Sequence, residues 1–447
     1  MTERAEALAR QLPNTPVGRQ LGWWLTTLAR GGEGASASDF ARYPSPLVDR
    51  TPPEQRTAEA LREGFRRDAE RMGEITEQTV ESASDLALTV VVRTVKDRKW
   101  ALKVAVSAEP PHAMTTFDIE RRHDFALGFR EAGPADARLL ADLESRCPIV
   151  MGETSIHFER GERYYDPMRL MEDSSIGLAS VDGVPAAVSC GAERQVRIGG
   201  ALKKMVTVSH LRVLPEHQRK GLWGAANKVL DKYWDHVDGS QAYISVDNLA
   251  MQHGFTNTPN KWPQIVQRAL LDCAGLAGPP AGRSATAADA DRLARQLNAF
   301  HGDEELFVPY TAQTLAARME RATDLYGWDK VRLTERAVVG VWPAGNAMRL
   351  VTETPAARTV SVSAVTLDYA FESGGEAEFE TLLRAWCGEL ARAGMDTLAI
   401  FTSPGSHGTE LLGRLARAVE GYFMWTPGIE VPKDAAARGL YTDAVYF

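Results

Sequence analysis

The spacing of hydrophobic and polar positions changes several times along the chain, and each change predicts a different element. Near the start, four large apolar residues recur at the spacing of one helix face, namely Leu21, Trp24, Leu25 and Leu28. The polar stretch PPEQRTAEALREGFRRDAERM predicts a second helix, and LALTVVVRT and KWALKVAVSAE predict two strands joined by a turn at VKDR. Helices followed by antiparallel strands indicate a small α+β domain.

The pattern changes again from Phe129. FREAGPADARLLADLESRC predicts a strand and then a helix that begins at proline, and SSIGLASVDGVPAAVSCGAERQV predicts a hairpin that turns at Asp182–Gly183. A further strand, MVTVSHLRVL, leads into a loop and a helix, and QAYISVD predicts the strand that follows. The apolar side of that helix is expected to comprise Ala225, Ala226, Val229, Leu230, Tyr233 and Trp234.

The C-terminal part repeats this order. ADADRLARQLNAF and YTAQTLAARMERA predict two helices, and RAVVGVWPAGNAMRLV predicts a strand hairpin. A long strand (TVSVSAVTLDYAF), a helix (FETLLRAWCGELARAG) and a final strand (DTLAIFTS) follow. Two stretches rich in Pro, Gly, Ala and Ser, SAEPPHAMTT (107–116) and AGLAGPPAGRSATA (274–287), lack a hydrophobic period, as linkers do. They divide the 447 residues into three predicted domains: 1–120, 121–275 and 276–447.

Amino-acid composition indicates which kinds of binding partner and which cellular compartment to expect. With 44% hydrophobic and 25% charged residues the chain has the composition of a globular protein, and its formal net charge of −8 argues against a nucleic-acid partner. The four cysteines are scattered without metal-ligand spacing, so we expect them to be buried in a reducing compartment. The N-terminal stretch lacks the apolar run of a secretory leader, and no apolar run is long enough to cross a membrane. A cytoplasmic protein with no membrane partner is therefore expected.

The loop LPEHQRKGLWGAANKVL (214–230) carries the clearest chemical signal. A strand ends at Pro215, and the glycines Gly221 and Gly224 allow backbone N–H groups to face a ligand at the start of a helix. Arg219 and Lys220 add positive charge. These features predict a cradle for a phosphate or pyrophosphate, with the spacing of neither the Walker loop nor the dinucleotide fingerprint.

The same residues resemble the acyl-CoA-binding motif of the GNAT acyltransferase superfamily, Q/R-x-x-G-x-G/A. Gln218, Gly221 and Trp223 occupy its positions, although Trp223 departs from the small final residue and Gly224 follows it. YISVDNLAMQHGF (243–255) similarly looks like the next element of that superfamily, and Asn248 matches the asparagine that helps to hold pantetheine. The resemblance covers about residues 125–275 and includes the order of the strands.

The resemblance implies a fold, a co-substrate and a reaction. An acetyl group, or another short acyl group, would pass from acetyl-CoA (or another acyl-CoA) to an amine of a small molecule by direct attack. Backbone groups near Leu211 and Val213 would hold pantetheine and polarise the thioester carbonyl. The implied cofactor-binding residues are Leu211, Arg212, Val213, Gln218, Arg219, Lys220, Gly221, Leu222, Trp223, Gly224 and Asn248.

The acid–base residues that many superfamily members carry are missing. In place of a carboxylate on the strand stand Ser209 and His210, and in place of a tyrosine acid stands His253. Strand alternation places Ser209 on the face of Leu211 and His210 on the opposite face unless a bulge intervenes. His210 is therefore a candidate base or a structural histidine. The stretch FERGERYYDP is either the acceptor wall or a solvated loop.

The C-terminal part looks like a second GNAT fold whose loop, FESGGEAEFE (371–380), has four glutamates and no basic residue. Because carboxylates repel a pyrophosphate, this half is interpreted as degenerate, shaping the acceptor pocket or a homodimer face. Tandem GNAT proteins similarly pair a working half with a silent one.

The N-terminal part resembles the small domain attached to serine-hydrolase-like proteins such as the one in the clavulanate gene cluster. TPVGRQLGWWLTTLARG, the paired strands and EPPHAM carry this resemblance over about residues 12–120, and it implies a cystatin- or steroid-isomerase-like fold. The predicted fold class is therefore mixed α-β (α+β): this domain, a CoA-binding GNAT fold and a degenerate one. Two alternatives to an N-acetyltransferase stay open. One is a non-catalytic acyl-CoA-binding or scaffold protein, and the other is a GNAT-fold decarboxylase or an acyltransferase that uses a carrier-bound thioester.

Overall fold

The computed structural model describes residues 2–36, 38–39, 57–110, 112, 114–218, 220–249, 251–252 and 261–446. The chain divides into two compact units, Met1–Ala126 and Leu127–Phe447. The predicted separation of 121–275 from 276–447 stays a prediction. No helix in the described part of the chain is long and apolar enough to cross a membrane.

The first unit packs helices against an antiparallel sheet. Its helices are α1 (Thr2–Ala9), α2 (Pro16–Ala29) and α3 (Ala58–Met72), and its strands, in sheet order, are β1 (Ile75–Ala83), β2 (Ala87–Thr94), β3 (Lys99–Val106) and β4 (Met114–Arg122). The Thr15 hydroxyl caps α2 by accepting from the Gly18 N–H at 3.2 Å. The predicted apolar face of α2 is buried, which confirms it as core, and Trp24 is fully buried whereas Trp23 is half-buried.

The second unit contains one large mixed sheet with helices. Its strands are β5 (Leu127–Ala132), β6 (Ile149–Met151), β7 (Thr154–Glu159), β8 (Asp173–Val181), β9 (Val184–Ile198), β10 (Ala201–Val213), β11 (Gly239–Ser245), β12 (Lys261–Asp272), β13 (Arg283–Ser284), β14 (Val331–Leu333), β15 (Ala337–Trp342), β16 (Arg349–Glu353), β17 (Arg358–Phe371), β18 (Thr397–Thr402) and β19 (Ala418–Trp425). Its helices are α4 (Ala137–Ser145), α5 (Asp166–Leu170), α6 (Leu222–Ala226), α7 (Asp231–Trp234), α8 (Ala290–His301), α9 (Ala312–Glu320), α10 (Glu376–Arg392) and α11 (Thr409–Leu415).

The strand order is β13-β14-β15-β17-β18-β12-β19-β11-β10-β9-β8-β5, with the β6–β7 hairpin joined to β16. Two neighbouring pairs are parallel, β10–β11 and β17–β18. In each case the strand that comes next in the chain pairs with the other parallel pair. Strand β12, which follows β11 in the chain, pairs with β18, whereas β19, which follows β18, pairs with β11. β12 and β19 also pair with each other, so the centre of the sheet is built by both halves of the unit.

Local patterns predicted most elements of this unit, with two corrections. The β8–β9 hairpin turns at Asp182 and Gly183, both at positive φ (50° and 82°), as a two-residue hairpin turn requires. The predicted hairpin RAVVGVWPAGNAMRLV is wrong, because β15 and β16 each pair with a different half of the long β17. The predicted helix after the loop is also interrupted: a 3-10 turn, Asn227–Leu230, separates α6 from α7 and leaves Trp234 exposed.

Candidate functional site

The parallel strands β10 and β11 diverge after a short ladder. Met205–Thr207 pair with Gly239–Gln241, and from Ala242 onward β11 pairs with β19 on its other side. The last paired position is fixed by a side-chain hydrogen bond, in which Gln241 Nε2 donates to Thr207 Oγ1 at 2.6 Å. Beyond Thr207, β10 has no strand partner on its β11 side in the described residues. A strand edge without a ladder partner therefore lines this gap, and on it the Leu211 carbonyl accepts from Arg212 Nη1 at 2.9 Å and the Val213 carbonyl from Gln218 Nε2 at 3.5 Å.

A β-bulge lies on β10 beside the gap. Ser209 pairs with Cys190 and Arg212 with Val188, so that His210 and Leu211 together oppose one residue of β9. His210 has a φ of 52°, a left-handed conformation that a non-glycine residue adopts at a cost of about 1–3 kcal/mol. Simple strand alternation therefore does not hold across this position. The strain is located where the two strands separate.

Buried charges surround the bulge. Arg160 Nε donates to Glu144 Oε2 at 2.7 Å, and both side chains are almost inaccessible to solvent (3% and 1% exposed). Arg212 Nη2 lies 3.7 Å from the other Glu144 oxygen, and Arg160 Nη2 lies 3.4 Å from His210 Nδ1. The ring of the fully buried Tyr164 packs against Arg160 and His210. One carboxylate thus holds two arginines, and one of these arginines contacts the histidine of the bulge.

This network fixes the protonation of His210. A guanidinium can only donate, so the contact with Arg160 makes Nδ1 the acceptor and places the ring proton on Nε2. Burial, and then the positive charges of Arg160 and Arg212, hold the pKa of His210 well below its usual 6.5. His210 is therefore neutral at neutral pH and can donate through Nε2. The lone pair of Nδ1, which a general base would use, already accepts from Arg160. This favours a structural role for His210 over the role of base.

The structure corrects the sequence reasoning on three members of this network, Arg160, Tyr164 and Glu144. Arg160, Tyr164 and Asp166 are buried, so the interpretation of FERGERYYDP as a solvated loop is wrong for these residues. Glu144 was not singled out, although it lies one helical turn after Leu140 on the buried face of α4. A carboxylate in phase with an apolar stripe was the signal that could have identified it.

The predicted anion-binding loop follows directly on β10. Pro215–His217 form a 3-10 turn, and Gly221 adopts a φ of 85° immediately before the short helix α6. Leu222 is buried, whereas Gln218, Lys220, Trp223 and Gly224 are exposed, and Arg219 lies outside the described residues. Because α6 is short, backbone N–H groups and lysine charge would hold an anion here more than a long helix dipole would.

Two strand glycines seat α6 and the following 3-10 turn on the sheet. A Cβ at Gly177 would lie 2.2 Å from the carbonyl oxygen of Ala226, and one at Gly191 would lie 2.4 Å from Leu230 Cδ2. The Ser189 hydroxyl also donates to Asn227 Oδ1 at 2.6 Å. The position of the loop therefore depends on close packing that requires glycine at 177, where the contact is with backbone, and that at 191 would force the Leu230 side chain to move.

The remaining predicted residues occupy different places. The Ser209 hydroxyl hydrogen-bonds the Cys190 thiol, whose pKa burial raises to about 12. Asn248 Oδ1 accepts from the Met251 N–H at 3.2 Å, a local turn contact after β11. His253 lies outside the described residues. The structure thus gathers residues 209–224 along one strand and its loop, with Asn248 just beyond the end of β11.

The second parallel pair, β17–β18, diverges in the same way, but one of its own side chains spans the gap. β17 and β18 pair at Ser363–Val365 and Thr397–Ala399 and then separate. Across this gap the Tyr369 hydroxyl donates to the carbonyl oxygen of Phe401 at 2.8 Å. The loop before α10 is acidic, and no basic residue is found in residues 371–380. One side chain therefore bridges this divergence, whereas the one beside β10 is not bridged in this way in the described residues.

Comparisons with known proteins find structural similarity without a sequence match. No family model matches the chain, and no curated protein matches it in sequence. The chain is similar in structure to Saccharomyces cerevisiae N-myristoyltransferase with bound myristoyl-CoA (TM-score 0.48, 11% identity, 73% of this chain and 86% of that chain). It is also similar to GCN5-related N-acetyltransferases of Sphaerobacter thermophilus (0.42, 15%, 68% and 98%) and Kribbella flavida (0.37, 12%, 67% and 71%).

Proposed function

We propose that the unit Leu127–Phe447 is an acyl-CoA-dependent N-acyltransferase of the GNAT type, which transfers an acetyl or other short acyl group to an amine of a small molecule. The observation that carries this proposal is the divergence of β10 from β11 beside the bulge at His210. A pantetheine arm contains two amides and is long and narrow, so it suits an open strand edge whose backbone has no ladder partner.

The residues along β10 would then have separate roles. The backbone of Leu211 and Val213 would bind the pantetheine amides, while Lys220 and the backbone from Gly221 to Gly224 would hold the pyrophosphate. Nε2–H of His210 and the backbone of the bulge are the donors available to a thioester carbonyl oxygen. Holding the amine beside the thioester supplies up to ~7–11 kcal/mol of the barrier, so the reaction does not depend on a strong base. The amine forms the new C–N bond, the C–S bond breaks, and the amine proton leaves with the thiol of CoA or with water.

We further propose that the unit contains two GNAT-type halves, of which the second is silent. The support is the repeated order of a parallel pair, a divergence and an exchanged strand. In the second half Tyr369 bridges the divergence, and four glutamates occupy residues 371–380. We place the activity in the cytoplasm, because Cys147, Cys190, Cys273 and Cys387 are buried and free of disulfides.

A calorimetric titration tests this proposal. Acetyl-CoA is titrated into the wild type, Gly224→Glu and Gly224→Gln, with Gly413→Glu on α11 as the matched control. Both glycines are exposed positions where an added Cβ meets no atom within 4 Å, so the variants change charge without a clash. We expect one molecule bound per chain and affinity about tenfold weaker in Gly224→Glu, with little change in Gly224→Gln or Gly413→Glu.

Other outcomes would contradict specific parts. Absence of acetyl-CoA binding by the wild type would contradict the acyl-CoA site, and two molecules per chain would contradict the silent second half. Thiol release on addition of amines separates an enzyme from a non-catalytic binder, which is the rival that the engaged lone pair of His210 favours. Release of carbon dioxide from malonyl-CoA would instead indicate a decarboxylase.

A further inference from the structure

A small cavity lies on one face of the large sheet, beside the paired part of β17 and β18, and none of the roles above uses it. Its volume is about 70 Å³. In its wall Val365 pairs with Ala399, which pairs in turn with Leu270. On the next row, Phe401 pairs with Arg268. Directly paired residues, and residues two apart on one strand, point to the same face of a sheet, so these side chains form one continuous wall.

Most of this wall is apolar. Two further strands contribute Phe158 and Leu350, which pair with each other across β7 and β16. Leu350 also pairs with Ser361 of β17, so the wall continues from β7 to β12. Because one water molecule needs about 10–15 Å³ of such space, the cavity takes a group of roughly five to seven non-hydrogen atoms. An apolar wall around so small a space favours a short aliphatic stem.

The polar part of the wall offers hydroxyl groups and positive charge. Ser363 Oγ and Thr397 Oγ1 lie 2.7 Å apart, so one hydroxyl donates to the other, and the proton of the second is left for another acceptor. The Ser361 hydroxyl forms no hydrogen bond with any residue that the structure describes. None of the described lining residues is acidic, whereas Arg268 and Arg417 are basic.

The two arginines differ in how their charge is compensated. Arg268 is ion-paired with Glu420, which also accepts from the Tyr422 hydroxyl at 2.8 Å. Arg417 is exposed, and its backbone N–H donates to the Leu270 carbonyl at 2.9 Å. Its guanidinium forms no ion pair within the part of the chain that the structure describes. One positive charge in the wall therefore lacks a counter-charge, and a guanidinium pairs with a carboxylate through two parallel N–H donors.

We propose that this cavity binds a short aliphatic monocarboxylate, with its carboxylate on Arg417 and Ser361 and its stem against the apolar wall. The single uncompensated charge matches a monoanion. Phosphate carries a second charge that would stay unpaired, and it has no stem to bury. An amine of the same length would bring a further positive charge beside Arg417. The residues of this cavity belong neither to the β10 edge nor to the loop after it, so the site is independent of acyl transfer.

Direct binding of three probes to the full chain, measured by ligand-detected NMR without any acyl-CoA, tests the site. The probes are butyrate, n-butylamine, which has the same stem with a cationic end, and inorganic phosphate. We expect butyrate to bind at least about tenfold more tightly than either of the others. No binding of butyrate, or equal binding of butyrate and n-butylamine, would overturn the proposal. Tighter binding of phosphate would also overturn it, because the wall would then not select a stem.

Two pairs of matched variants locate the bound butyrate. Arg417→Gln removes the uncompensated charge, whereas Arg414→Gln removes the charge of an exposed arginine on α11 outside the wall. Ser361→Leu fills the wall at a half-exposed position, whereas Thr359→Leu places the same side chain at an exposed position of β17 outside it. We expect about tenfold weaker butyrate binding in Arg417→Gln and Ser361→Leu, and unchanged binding in the two controls. Unchanged butyrate binding in either cavity variant would contradict the inference.

This site and the acyl-CoA site fail separately. Butyrate binding in the expected pattern supports the cavity site even if acetyl-CoA does not bind. Acetyl-CoA binding without butyrate binding would refute the cavity site alone.

Discussion

Replacing Arg160 by methionine should destabilise the second unit far more than replacing an exposed arginine. The Arg160–Glu144 pair is separated by 2.7 Å and is almost wholly desolvated. Removing one partner of such a pair typically costs about 3–5 kcal/mol, because the other charge stays buried. Arg212 Nη2 remains 3.7 Å from Glu144 and offsets part of this loss, so we expect about 3 kcal/mol for Arg160→Met.

The matched control is Arg146→Met. Arg146 is 53% exposed and lies 3.3 Å from Glu216 and 3.9 Å from Asp142. Solvent screens such pairs, so this variant should change the free energy of unfolding by less than about 1 kcal/mol. Combining Arg160→Met with Glu144→Gln should recover at least about 2 kcal/mol relative to the sum of the single variants, because no uncompensated carboxylate then remains.

Hydrogen exchange followed by mass spectrometry is the appropriate assay, because a chain of two compact units need not unfold in one two-state transition and exchange reports each region separately. Peptides covering Ala137–Ser145 and Ala201–Val213 report the free energy of opening around the pair. If Arg160→Met matched Arg146→Met within about 1 kcal/mol, or if the double variant were simply additive, the pair would not carry the stability assigned to it.

Two further predictions concern His210 and Gly177, the strand glycine that packs against α6. The pKa of His210 is well below 6.5 in the fold, so as the pH falls the unfolded chain takes up this proton before the folded chain does. The contribution of His210 to stability is therefore complete above about pH 6.5. It falls as the pH drops toward the folded pKa, by up to about 1.4 kcal/mol per pH unit. His210→Asn, which tolerates the positive φ, should flatten this loss in urea unfolding at pH 7.5, 6.5 and 5.5, and an unchanged slope would contradict the assignment. Gly177→Ala should lower the free energy of unfolding by about 1–3 kcal/mol and weaken acetyl-CoA binding, because its Cβ meets the Ala226 carbonyl. The control Gly224→Ala, whose Cβ meets no atom within 4 Å, should change neither quantity. Equal melting temperatures of the two variants would refute this prediction.

Features set by a few adjacent residues could be predicted from the sequence. The turn at Asp182–Gly183 needs only two residues that accept positive φ, and helices α8 and α9 follow the period of their apolar residues. The candidate anion-binding loop stays a prediction, and it could be proposed because its residues are contiguous in the sequence. In each case the determining information lies within one turn or one helix.

Features set by distant partners could not be predicted in this way. Nothing local marks a bulge at His210, since the bulge exists only relative to the register of β9. The hairpin expected at 336–351 fails because β17 is long enough to pair with β15 and β16 in turn. Trp234 follows the helical period of its neighbours, but the 3-10 turn before it changes the phase and turns it to solvent.

The exchange of β12 and β19 has a consequence for synthesis of the chain. When β11 leaves the ribosome, the strand that will cover its free edge is still untranslated, and β19 emerges only after α8 to α11 have been made. At typical elongation rates this interval lasts on the order of ten seconds. During that time β11 and β12 present uncovered edges to other nascent chains. Until β19 is made, these edges are therefore free to pair with those of a second nascent copy, so slow synthesis of the C-terminal half prolongs the interval in which this unit can misassemble.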